Sequence, residues 1–116
     1  MILLPVDEAY AFDFLAILQI KRQKNLLDVD TYTDIVNTIE EQIGAQNFKK
    51  ILKSAEYKKL LQANKKTFHS VDLARQNKIS AHDLDRCNYN RFLAKKELQT
   101  KFFKNNLFEV KKYKHE

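Results

Sequence analysis

A chain of 116 residues can bury one hydrophobic core and gives no reason to expect a second domain. One Gly, one Pro and one Cys argue against a hairpin-rich sheet and exclude an intrachain disulfide, leaving long helices joined by short polar breaks. The net charge of +6 is uneven: residues 28–41 carry five acids and no base, whereas residues 49–66 carry seven Lys and one acid.

The first helix is predicted from about Val6 to Leu26. Pro5 stands where a missing amide costs nothing. Asp7 and Glu8 lie near the positive end of the dipole, and Lys21, Arg22 and Lys24 near the negative end. At about 100° per residue its apolar side chains fall on nearly every side, which makes it the expected central element. Its apolar run, Ala9 to Ile20, is interrupted by Asp13 and too short to span a bilayer. Acids precede bases, the reverse of a signal peptide, so a soluble cytoplasmic protein is expected.

Leu27 to Asp30 is a break, with Asp28 or Asp30 as N-cap of a second helix. Val29, Tyr32, Ile35, Val36, Ile39 and Ile43 form its apolar face, and Gly44 stands at C′. From 46 to 77 the apolar phase changes near Ser54. Phe48, Ile51, Leu52 and Ala55 form one stripe, and Tyr57, Leu60, Leu61, Phe68 and Val71 another. A short helix, a break capped by Ser54, and a long helix to about Gln76 are predicted.

Asn77-Lys78 is a turn. Ser80 and Asp83 then have the spacing of a capping box, and Ile79 and Leu84 that of a hydrophobic staple. The last helix is predicted to reach about Lys104, antiparallel to its predecessor. Asn105-Asn106 ends it, and the charged tail to Glu116 invites fraying. The expected architecture is a single all-α domain over 1–116, a small bundle of four main helices plus one short one.

The stretch ISAHDLDRCNYNRF, 79–92, gathers most of the residues that could carry chemistry. As metal ligands they fail: on a helix Cys87 points about 140° away from His82. No C-x-x-C, H-E-x-x-H or E-x-x-H occurs anywhere. Asp83 and Asp85 lie where a helix start favours carboxylates, and Cys87 falls on the apolar stripe Leu84, Cys87, Ala94, Leu98 and Phe102. One glycine cannot build a phosphate loop. Asp28 to Asp34 lacks the Gly and the Glu of a calcium loop. No catalytic, cofactor or metal residue is assigned, and an enzyme is not the favoured reading.

Two polar residues sit where the last helix should be apolar, Asn88 and Arg91. Asp13 does the same on the first helix. Buried charge requires a partner, so an ion pair between Asp13 and Arg91, completed by Asn88, is expected. Lys58, Lys59, Lys65 and Lys66 form the solvated side of the long helix and are the candidate face for an anionic partner.

The basic segments 49–66 and 91–116 interleave Lys with Phe48, Tyr57, Phe92, Phe102, Phe103 and Tyr113. Most of these aromatics fall on core stripes, and no helix-turn-helix pattern stands out. AT-rich codon usage alone would also give this Lys and Asn content. Nucleic-acid binding is therefore the second reading. The first is a helical interaction module docking another protein or a second copy of itself. The apolar girdle of the first helix, Phe102-Phe103 with Phe108, and the opposed acidic and basic segments all suit self-association.

PVDEAYAFDFL, 5–15, together with DRCNYNRFLAKKELQTKFF, 85–103, resembles small all-helical proteins of marine phages and environmental sequences. The resemblance covers about a quarter of the chain. That family carries no defined activity, so the resemblance implies no site. It implies a phage-type accessory protein rather than a metabolic enzyme.

Overall fold

Helix boundaries in the computed structural model, which describes residues 1–104, fall where the caps sit rather than where hydrophobicity stops. The five helices are α1 (Glu8–Gln23), α2 (Val29–Ile43), α3 (Ala45–Leu52), α4 (Ala55–Arg75) and α5 (Ala81–Phe102), and no strand occurs among the described residues. The expected fraying of 105–116 lies outside the described residues.

Three caps form as the sequence predicts. Asp28 accepts from the Thr31 amide at 2.8 Å, Ser54 from Tyr57 at 3.0 Å and Ser80 from Asp83 at 3.1 Å. Each satisfies one of the orphan amides of a first turn. The first helix is shorter than predicted at both ends. Asp7 is extended, with φ −61 and ψ 146, so Val6 stays outside the helix. At the other end Asn25 takes a left-handed φ of 58°. The Leu26 amide then reaches Lys21 O at 2.8 Å and the Asn25 amide reaches Arg22 O at 3.0 Å, a Schellman closure.

Asn77, with φ 57, repeats this arrangement after α4, its neighbour Lys78 donating to Leu73 O at 2.8 Å. Asn is the side chain that best tolerates this region. A chain with one glycine thus closes two helices with asparagine. Gly44 itself, at φ 95 and ψ 135, sits directly between α2 and α3 and ends one helix as the next begins. It is the junction residue rather than the C′ residue of a free helix end.

The core gathers around α1, which meets α2, α4 and α5, while α4 and α5 pack chiefly on each other. α2 packs on α1 and α3. Phe12, fully buried, lies at the centre. Its ring centroid is 6.0 Å from Phe48, 6.2 Å from Tyr57 and 6.4 Å from Phe103, which ties α1, α3, α4 and the end of α5 together. Leu15, Ala16, Ile51, Leu60 and Leu98 complete the centre at 2% exposure or less. The apolar girdle of α1 is therefore consumed by the molecule's own core, except at Phe14, which is 49% exposed. No helix among the described residues is long and apolar enough to cross a membrane.

Candidate functional site

The polar residues that break the apolar stripes meet in a seam between α1, α4 and α5. Asp13 and Arg91 form a two-pronged ion pair, Nε donating to Oδ1 at 3.0 Å and Nη2 to Oδ2 at 2.7 Å. Such fork-on-fork pairing fixes geometry as well as charge. The third member is Asn64, whose amide donates to Asp13 Oδ1 at 2.9 Å and to Leu60 O at 3.1 Å.

Asn88, expected in that place, is exposed and donates to Leu84 O of its own helix at 3.3 Å. The reason is geometric. Asn64 follows Leu60 by four residues on the side of α4 that crosses α1, at the level of Asp13, whereas Asn88 is turned off the seam.

Two further members were not read from the sequence. Lys95 and Gln99 follow Arg91 at four-residue steps and so continue its line along α5. Lys95 is 5% exposed, with Nζ 4.0 Å from the centre of the Tyr10 ring. Gln99 is fully buried. Its Oε1 accepts from the Ala9 amide at 2.8 Å and its Nε2 donates to Glu8 Oε1 at 3.0 Å. The Ala9 amide is an orphan donor of the first turn of α1, and the Asp7 side chain makes no cap bond to that turn. The start of α1 is capped from ninety residues away. The four-residue recurrence Arg91, Lys95, Gln99 was the available signal.

Electrostatics follow from this wiring. Burial pushes the Asp13 carboxyl up, but the hydrogen bonds from Arg91 and Asn64 and the charges of Arg91 and Lys95 outweigh it. The group is held below the ordinary carboxylate value. Burial, then the neighbouring Tyr32, pushes the Tyr57 phenol well above its usual range, and its hydroxyl donates to Gln19 Oε1 at 3.0 Å. Every one of these groups is directed at another protein group, an arrangement that holds helices in register.

Small polar side chains line part of the α4–α5 contact. Thr67 donates to Ala63 O at 2.9 Å, and Ser70 Oγ lies 3.3 Å from Cys87 Sγ. Cys87 is only half-buried, less enclosed than its stripe suggested. His82, Asp83 and Asp85 are exposed, and among the described residues no three His, Cys, Asp or Glu side chains could hold one metal ion.

Of the four lysines singled out, Lys59, Lys65 and Lys66 line a shallow groove of about 650 Å³ between α4 and α5. Lys58 is exposed but lies outside it. The groove floor includes Ala63, Ala94 and Leu93, the last 36% exposed. Lys59 is bound to Glu97 at 3.0 Å across the groove. The aromatics that would stack on bases are not at the surface: Phe48, Tyr57 and Phe92 are buried, and Phe102 and Phe103 half-buried. Tyr113 and Phe108 lie outside the described residues.

Most of the exposed large apolar side chains gather ahead of α1. Ile2, Leu3, Leu4 and Val6 are 82%, 89%, 70% and 52% exposed, in an arm with no regular structure ahead of α1. Leu26 and Val29, 62% and 55% exposed, form a second apolar point at the α1–α2 corner. Comparison with protein-family models, curated proteins and solved structures finds no match to this chain.

Proposed function

We propose that this protein is a helical interaction module, a phage-type accessory protein that works by docking another chain, a second copy of itself included. The observation that carries the reading is the arm Met1–Val6, which holds its apolar side chains in water while the bundle behind it is closed. Contiguous exposed apolar surface of this kind marks contact sites.

Burying a Leu, Ile, Val or Met side chain contributes roughly 1.5–3 kcal/mol. The five exposed apolar side chains of the arm would thus contribute roughly 7–15 kcal/mol. Association costs about 4–15 kcal/mol in lost freedom. The arm therefore supports a weak or moderate contact by itself and needs a second surface to become tight. The polar seam supports the same reading, because its side chains are spent on holding α1, α4 and α5 together. Deleting residues 1–5 and comparing sedimentation with the full chain tests this. The full chain should grow in mass with concentration and the armless chain should not, with unchanged helicity; equal behaviour of the two would remove the arm from the account.

A second reading, binding of nucleic acid through the lysine faces, is favoured by one feature. Lys49, Lys50, Lys53, Lys58, Lys59 and Lys66 are all exposed along α3 and α4. Affinity for random duplex DNA that falls steeply with salt would support it.

A further inference from the structure

We infer that the groove between α4 and α5 receives an acidic amphipathic helix of another protein, its apolar stripe on the floor and its carboxylates on the lysine rims. This deepens the interaction reading of the preceding subsection, which calls for a second surface besides the arm, and rests on it.

The groove extends beyond its end at Lys65 and Lys66. Leu93 and Glu97 line both the hollow of about 650 Å³ described above and an adjoining one of about 680 Å³, which runs on toward Glu56, Lys96 and Lys101. From Asn90 to Lys101 the α5 wall is roughly 16 Å long at the helical rise per residue, about three turns of a docked helix. Ala63 and Ala94 in the floor let a second helix approach closely. Leu93, 36% exposed, is the one exposed large apolar side chain of α4 or α5 among the described residues.

Charge selects the occupant. α4 carries no acid from residue 57 to residue 71, and from residue 86 to residue 104 the only acid is Glu97. The walls thus bring five lysines to the groove against two glutamates, Glu56 and Glu97. Glu97 is held by Lys59, while Lys65, Lys66, Lys96 and Lys101 make no ion pair among the described residues. An apolar floor between unpaired ammonium groups fits leucines flanked by carboxylates on one helix face. No aromatic side chain lines either hollow, so the walls offer no platform on which bases stack.

The Lys59–Glu97 pair makes Glu97 an internal competitor for such a partner. The two side chains are 63% and 50% exposed, so their bridge is weak and a carboxylate of the partner can replace Glu97 on Lys59.

Fluorescence anisotropy of a labelled, end-capped synthetic helix, with leucines along one stripe and glutamates beside them, tests this on the full chain. The peptide should bind the wild type, and Lys65→Glu/Lys66→Glu should weaken binding at least roughly tenfold. Glu97→Gln should tighten it severalfold, because the competing carboxylate is gone. The substituted side chains are exposed or half-buried and none caps a helix, so circular dichroism should not change. Equal affinity for the same peptide with glutamine in place of glutamate would overturn recognition by charge, and equal affinity for polyglutamate would overturn the role of the floor. Random duplex DNA bound where the peptide is not, and lost in Lys65→Glu/Lys66→Glu, would give the groove to nucleic acid instead.

The chain lacking residues 1–5 keeps groove and arm apart, since it should bind the peptide as the wild type does while losing self-association. No peptide binding, with association that still depends on the arm, would overturn the groove and leave the arm standing. Peptide binding as expected, with association indifferent to the deletion, would support the groove and remove the arm.

Discussion

Replacing Arg91 by Met and Asp13 by Asn should damage the protein unequally, although the two residues share one ion pair. Arg91→Met leaves a carboxylate whose side chain is only 7% exposed, held by the Asn64 amide and the charge of Lys95. Leaving a buried charge without its partner costs about 3–5 kcal/mol. Asp13→Asn leaves a guanidinium that is 30% exposed and can turn to water, so the cost should be nearer that of a lost charged hydrogen bond, about 1.5–3 kcal/mol. For a domain of this size roughly 4 °C of melting temperature accompanies each kcal/mol, so Arg91→Met should melt roughly 12–20 °C below wild type.

The pH dependence separates a charge effect from lost packing. In the wild type the folded pKa of Asp13 lies below its unfolded value. Its contribution is complete above the unfolded value and is lost as pH falls through the folded one. In Arg91→Met burial dominates and the folded pKa rises. The penalty is then present at neutral pH and relieved as acid protonates the group. Urea denaturation followed by circular dichroism should show the deficit of Arg91→Met shrinking by at least about 1 kcal/mol between about pH 7 and about pH 4. A Met variant within about 1 kcal/mol of wild type, or an Asn variant costing more than the Met variant, would show that the buried Asp13 charge does not depend on Arg91.

Other perturbations follow from the same contacts. Gln99→Ala should cost about 1–3 kcal/mol and speed hydrogen exchange at the Ala9 amide, its partner ninety residues away; unchanged protection would remove the long-range cap. Asn64→Ala should cost about 1–2 kcal/mol in urea denaturation, while Asn88→Ala stays within about 0.5 kcal/mol; the reverse order would place the wrong asparagine in the seam. Phe12→Ala, at the centre of three aromatic contacts, should cost about 3–5 kcal/mol. Lys59→Ala should change stability by less than about 1 kcal/mol, because its pair with Glu97 is exposed on both sides.

Local chemistry made most of the fold legible. Asp28, Ser54 and Ser80 each bond the amide three residues onward, so their caps can be read in short windows. The shift of apolar phase at Ser54 likewise marked the break between α3 and α4. Asp13 and Arg91 stood out because each interrupts an apolar stripe, and the structure brings them together.

Their third partner was not legible in the same way. Choosing between Asn64 and Asn88 depends on the angle at which α4 crosses α1, which no helical spacing encodes. Gln99 was hidden for a related reason. A residue that caps a helix ninety positions earlier looks, in its own window, like one more polar side chain on a solvated face. The early end of α1 at Asn25 was missed because asparagine does there what glycine usually does.

Sedimentation velocity of the wild type and of the chain lacking residues 1–5 tests the proposed docking role most directly. Mass should rise with concentration for the wild type, and the armless chain should stay monomeric with unchanged helicity. A wild type that stays monomeric at its highest soluble concentration and at low salt would contradict it.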